Sequence, residues 1–158
     1  MSLGKAVLIA ATVHASQKDK GGHAYILHPI RLMQRLRTHD EELMSIAILH
    51  DSVEDSSGEV TLDMLRAEGF SERVVRALTL LTHGKSVLYE EYIAAISSNT
   101  DATLVKIEDL RDNSDITRLK GLREKDIERV QKYHKAYLFL RGVLETRKLV
   151  GYSTERGE

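Results

Sequence analysis

A single proline, Pro29, interrupts a chain of 158 residues whose apolar side chains recur mostly at intervals of three and four. That spacing is the period of a helix face, so the expected fold is an all-α domain of about eight helices. A first helix is predicted over 3–17, ending before the polar run Lys18-Asp19-Lys20-Gly21-Gly22, which reads as a surface loop. Pro29 suits the first position of a second helix reaching Arg37, because its missing N–H costs nothing there; His28 would then be the cap. A third helix is predicted over 41–53, with Glu54-Asp55 continuing or closing it before Ser56, Ser57 and Gly58. Thr61, Ser71 and Ser86 are expected N-caps for helices near 62–68, 72–82 and 87–97, with Gly69 between the first two. Thr100 or Asp101 opens another helix to about Asp112. A long last helix over 124–149 carries an apolar stripe of Ile127, Val130, Tyr133, Tyr137, Leu140 and Leu144. No repeat or linker divides the chain, so residues 1–158 are expected to form one domain, with residues 1–4 and the polar tail 152–158 given no functional part.

Composition narrows the chemistry. The absence of cysteine excludes disulfides, thiolate metal sites and a cysteine nucleophile, so any metal must be held by His, Asp or Glu. With 23 basic and 24 acidic residues, no overall field draws the chain to nucleic acid or to an anionic membrane. The absence of tryptophan and the presence of only two phenylalanines argue against a base-stacking surface. No run approaches the ~20 apolar residues of a membrane span, and a cytoplasmic location is expected. A small phosphorylated partner remains compatible, because a pocket needs only a few local cations.

His50, Asp51, Glu54 and Asp55 form the densest chemical cluster. Residues four apart share a helix face, so Glu54 follows His50 by one turn and Asp55 follows Asp51. An imidazole and a carboxylate suit a divalent ion, and two further carboxylates one turn on suit proton handling. A solvated acidic helix end explains the same residues. It would, however, oppose the macrodipole by roughly 0.3 to 1 kcal/mol per exposed acid. Elsewhere His28 stands alone, and Lys106, Asp109 and Asn113 share one face of their helix. A metal ligand flanked by an ammonium and an amide would suit a phosphate ester; a solvated polar stripe has the same spacing.

The motifs His14-Ala15-Ser16-Gln17, Tyr25-Ile26-Leu27-His28-Pro29, Leu49-His50-Asp51-Ser52-Val53-Glu54-Asp55 and Val105-Lys106-Ile107-Glu108-Asp109 occur in that order within roughly residues 6–120. This order resembles the HD-type hydrolase domain of the RelA/SpoT alarmone enzymes, especially their small hydrolase-only relatives. The resemblance implies metal ligation by His28, His50, Asp51 and Asp109, with manganese as the ion. It implies Glu54 and Asp55 as the catalytic acids and Asn113 as a nucleotide contact, and matches Lys106 to a lysine of the same segment. The implied reaction releases pyrophosphate from the 3′ position of guanosine 3′,5′-bis(pyrophosphate) or a related alarmone, with Lys18, Lys20 and Lys106 balancing substrate charge. Lys18 and Lys20 read equally well as a solvated basic loop.

Two positions depart from that pattern. Asp19-Lys20 stands where the family has a basic pair, and Leu110 stands where the family has arginine. Both departures touch substrate-holding regions rather than the metal set, so an HD-type nucleotidase or other phosphoester hydrolase is the alternative, and a non-catalytic metal or nucleotide sensor a second. No nucleotide-transfer segment follows Asp109, and alarmone synthesis is not expected. Oligomeric state is not legible in the sequence.

Overall fold

The computed structural model describes residues 2–84 and 86–154, the side chains of 149–154 excepted. As expected, the fold is all-α. The helices are α1 Leu3–Val13, α2 Leu27–Arg35, α3 Glu41–Leu49, α4 Ser52–Asp55, α5 Leu62–Ala67, α6 Glu72–Leu81, α7 Tyr89–Ile96, α8 Thr100–Asn113 and α9 Glu124–Thr154. A 3-10 turn, Ile116–Arg118, precedes α9. Among the described residues no helix is long and apolar enough to cross a membrane.

α3 is the centre of the packing. Leu43, Ser45, Ile46, Ala47, Ile48 and Leu49 are all buried, so the helix is covered nearly all round, as a core helix must be. It packs against α1, α2, α6 and α8, and α8 in turn packs against α2, α6 and α9. One buried cluster runs from Ala6 to Leu140. The helices α2, α3 and α8, which carry or end at three of the candidate ligands, therefore all pack against one another.

Local chemistry explains where the helices depart from the predicted boundaries. α1 stops at Val13 rather than 17, because the Gln17 carbonyl accepts from Tyr25 N at 3.0 Å and Asp19 N donates to the His23 carbonyl at 2.9 Å. Those bonds fold residues 17–25 back as a loop. α2 begins at Leu27, so His28 lies inside the first turn rather than at the cap, and Pro29 is its third residue. Proline is tolerated there because none of the first four N–H groups has an intrahelical partner. The helix ends before Arg37, whose φ of 48° no helix can continue through.

The predicted 41–53 helix is two helices. α3 ends at Leu49, and Asp51 is the N-cap position of the one-turn α4. Glu54 and Asp55 therefore lie in a first turn instead of at the end of a long helix, and the macrodipole argument against them lapses. Thr61 and Ser71 cap as expected, accepting from Met64 N and Val74 N, and Gly69 takes a φ of 85°. Ser86 does not cap. Val87 N donates to the Gly84 carbonyl at 3.0 Å, which places Ser86 in a turn and delays α7 to Tyr89. α8 is capped by Asn99, whose side chain accepts from Ala102 N at 2.9 Å. α9 continues past 149 to Thr154, so only residues 155–158 of the expected tail lie outside the described residues. Within α9, Ile127 is 51% exposed, contrary to its place in the predicted stripe, while Ala136 and Leu140 are buried.

Candidate metal centre

His28 from α2, His50 and Asp51 from the α3–α4 junction, and Asp109 from α8 converge at one point. The Nε2 atom of His50 lies 2.9 Å from Asp51 Oδ2 and 3.9 Å from Asp109 Oδ1. The Nε2 atom of His28 lies 3.2 Å from Asp109 Oδ1 and 3.9 Å from Asp51 Oδ2. Ligand atoms of His28, His50 and Asp51 all fall within 4.8 Å of one another.

The α3–α4 break is what presents His50. Its Nδ1 donates to the Ala47 carbonyl at 2.9 Å, and a carbonyl only accepts, so Nδ1 carries the proton and Nε2 keeps a lone pair facing the carboxylates. Both Nε2 atoms, of His28 and His50, are buried without a hydrogen-bond partner. A buried polar atom left unpartnered costs about 1–3 kcal/mol, and two of them aimed at the same carboxylates fit a cation between them. The donor set of imidazole nitrogen and carboxylate oxygen, without sulfur, suits a divalent ion of the borderline-to-hard kind.

Each acid is held from behind. Tyr25 donates its hydroxyl to Asp51 Oδ2. Burial, then the Asp51 charge, pushes the Tyr25 phenol far above its ordinary range, so it stays a donor. Asp109 Oδ2 pairs with Lys106 Nζ at 2.8 Å, and Asp109 Oδ1 accepts from Asn113 Nδ2. Burial would raise the Asp109 carboxyl, but Lys106 and His28 outweigh it and hold it far below the usual carboxylate range. Asp51 is likewise held down, by His50 against its burial. Lys106 is raised well above its ordinary value, because Asp109 and Tyr92 outweigh its burial, and its ammonium lies 5.0 Å from the Tyr92 ring centre. The shared face of Lys106, Asp109 and Asn113 is thus one hydrogen-bonded unit.

No family model matches the chain. In an alignment of 119 positions that covers 69% of the chain, it is 31% identical to the guanosine-3′,5′-bis(diphosphate) 3′-pyrophosphohydrolase of Aquifex aeolicus. Over 118 residues it is 32% identical to the GTP pyrophosphokinase rsh of Brucella ovis. The chain spans only 17% and 16% of those two proteins. A solved structure of a metazoan ortholog of SpoT, described as hydrolysing ppGpp, matches with a TM-score of 0.65 over 92% of this chain and 94% of that one. At 21% identity that likeness is one of fold. The chain is an HD domain of the RelA/SpoT type.

Beside its metal centre the HD domain opens a cleft of about 330 Å³, whose walls include Tyr25, His28 and Asn113. Lys18, Lys20, Arg118 and Arg129 also line it. Lys20 and Asn113 are therefore cleft residues. Lys106 is not among the lining residues; it stands behind Asp109. Asp55 accepts from Gln17 Nε2 at 2.9 Å, and Gln17 Oε1 accepts from the buried His14 at 2.6 Å, so Asp55 is tied to the cleft wall. Glu54 Oε2 accepts from His83 N at 3.2 Å.

Four residues of the HD domain's site carried no role in the sequence reading: Tyr25, Gln17, Arg118 and Asp112. Tyr25 and Gln17 sit inside the motifs that carry the resemblance, which was the available signal. Asp112 follows Asp109 by three residues and accepts from His28 Nδ1 at 2.8 Å. Burial raises its carboxyl, but Arg31 and His28 outweigh that and hold it well below the usual range. Only its place on the same helix face could have marked it.

Proposed function

We propose that this HD domain is a metal-dependent phosphohydrolase that releases pyrophosphate from the 3′ position of guanosine 3′,5′-bis(pyrophosphate)-type alarmones. The observation that carries the proposal is the pair of buried, unpartnered imidazole nitrogens facing two carboxylates at the end of a cation-lined cleft. The named activity of the Aquifex aeolicus relative supports the choice of substrate.

His28, His50, Asp51 and Asp109 would hold the ion, with manganese as the proposed occupant. Such an ion supplies Lewis acidity, polarising a phosphoryl oxygen and making water acidic near neutral pH. Tyr25 keeps Asp51 oriented, while Lys106 and Asn113 do the same for Asp109. Lys18, Lys20, Arg118 and Arg129 balance the phosphate charge, and Asn113 borders the cleft as a nucleotide contact. Asp55, steadied by Gln17, accepts a proton from the attacking water at a carboxylate oxygen, and Glu54 helps to position that water. The water oxygen bonds to phosphorus, the bond from phosphorus to the ribose 3′ oxygen breaks, and that oxygen leaves with the proton that Asp55 took from the water. Lys106 acts through Asp109 in this scheme rather than on substrate.

The test offers manganese-loaded protein a panel of guanosine 3′,5′-polyphosphates, nucleoside mono- and triphosphates and a generic phosphodiester. Turnover confined to members bearing a 3′-pyrophosphate is the expected result. Glu54→Gln should keep the metal and lose activity by roughly 10²- to 10⁴-fold, and Asp109→Ala should lose both. Asp19, an acid in the cleft wall, favours the second reading, an HD-type hydrolase of a different phosphoester. Turnover of other panel members alone would select it, and no turnover at full metal occupancy would select a sensor.

A further inference from the structure

The Asp112 side chain is completely buried, yet four charged or polar groups converge on it. Arg31 donates through Nε to Oδ1 and through Nη2 to Oδ2, both at 2.8 Å. Arg35 Nη1 lies 2.9 Å from Oδ1, and Arg118 Nη1 lies 3.4 Å from Oδ2. The fourth group is the Nδ1 atom of His28, 2.8 Å from Oδ2. Three guanidiniums more than compensate the charge of one carboxylate. With the guanidiniums as donors, the carboxylate can act only as an acceptor, and an acceptor facing Nδ1 requires the proton to be on Nδ1.

The convergence also fixes the ring in space. His28, Arg31 and Arg35 are spaced three and four apart on α2 and so share one face, the face turned to α8. Asp112 follows Asp109 by three residues on α8, so the acid behind His28 and the acid in front of it come from one helix turn. The imidazole is held between them with Nε2 directed at Asp109 Oδ1, 3.2 Å away.

We infer that Asp112 is a positioning residue for the metal centre: clamped at both oxygens by Arg31, it fixes the orientation and tautomer of His28 so that Nε2 presents a lone pair to the ion. The inference rests on the metal-centre reading above. A carboxylate behind a ligating histidine raises the ligand's basicity, and its loss costs 10- to 100-fold in metal affinity as an order of magnitude. A purely structural tie between α2 and α8 would have no such effect.

The experiment compares wild type, Asp112→Asn and Arg35→Gln. Arg35→Gln loosens the α2–α8 tie without touching His28. Manganese affinity is read by titration calorimetry, and the His28 ring is read by nitrogen-15 NMR of the zinc-loaded wild type. The expected results are an exchange-protected proton on His28 Nδ1, affinity weakened about 10- to 100-fold in Asp112→Asn, and affinity kept within about threefold in Arg35→Gln. Equal affinity in Asp112→Asn and wild type overturns the inference, as does equal weakening in both variants. If Asp112→Asn does not fold, the NMR signal decides alone, and a zinc-bound His28 without a proton on Nδ1 overturns it. Failure of the wild type to bind any ion would instead overturn the metal-centre reading.

Discussion

Metal binding should expel a proton from His28. In the metal-free protein His28 Nε2 faces Asp109 and Asp51 while Nδ1 faces Asp112. Burial lowers the His28 pKa, but Asp109 and Asp112 outweigh it and raise the value from 6.5 to about 9. An imidazolium has no lone pair to offer, so ligation requires the proton to leave. At pH 7 that protonation would hold back apparent affinity by roughly 100-fold, or about 2.7 kcal/mol, and at pH 8 by roughly tenfold. The apparent Kd for manganese should therefore fall about tenfold per pH unit between 7 and 8.5 and level off above 9. Calorimetry at pH 7.5 in two buffers of different ionisation enthalpy counts the proton directly. About one should be released per ion, whereas an unshifted imidazole would release roughly a tenth of one. Release below roughly 0.2 together with a flat affinity would refute the reasoning.

The same shift sets the pH dependence of the metal-free fold. A folded-state pKa above the unfolded value stabilises fully below about pH 6.5 and loses that contribution as pH rises through about 9. The urea midpoint of metal-free protein should accordingly fall between pH 7 and 9.5, and a midpoint that rises there would contradict it. Lys106→Met removes the partner of a buried acid and should cost about 3 kcal/mol in metal-free urea unfolding, part of it restored by added manganese. A loss under about 1 kcal/mol would show that Asp109 does not depend on Lys106. In Gly21→Ala the new Cβ would sit 2.6 Å from the Arg118 carbonyl oxygen and 3.0 Å from His23 Nδ1, so the loop must move. Thermal unfolding should register a loss of about 1–3 kcal/mol, and an unchanged transition would show that the cleft wall yields freely.

Features set by a few neighbouring residues were legible in the sequence. Thr61 and Ser71 cap because the bond each makes spans only three residues, and Gly69 follows from its own φ. The four candidate ligands were legible through the order of motifs, and the fold brings them together from α2, α8 and the α3–α4 junction. What escaped was set by distant partners. Asp112 faces His28 across 84 positions, and Tyr25 faces Asp51 across 26. The end of α1 is decided by a bond between Gln17 and Tyr25, which periodicity does not contain. Ile127 belongs to the right period but lies beyond the neighbour that would cover it, since α9 buries Ala136 and Leu140 instead.

Asp19 is the position where sequence pattern and structure give different lessons. By resemblance it places an acid where a base is expected, which reads as weakened phosphate binding. In the fold its Oδ1 accepts from Gly21 N and His23 N, both at 2.9 Å, and its Oδ2 lies 3.4 Å from Arg118 Nη1. An aspartate that accepts backbone N–H groups two and four residues ahead is building its own loop, and its charge is answered by a neighbouring arginine. The acid therefore shapes the wall of the cleft more than it repels what enters. Arg118 is engaged three times over, by Asp19, by the Asp112 carbonyl and by the Asp112 carboxylate. That leaves Lys18 and Lys20 as the cleft cations with no ion pair among the described residues, since Arg129 lies 3.1 Å from Asp126 Oδ1. Burial lowers the Lys20 pKa, and the positive charges of Arg129, Lys125 and Lys132 crowd it further, with Asp126 opposing them. A phosphate chain placed among them would relieve that crowding, so the departure at Asp19 is compatible with a strongly anionic substrate.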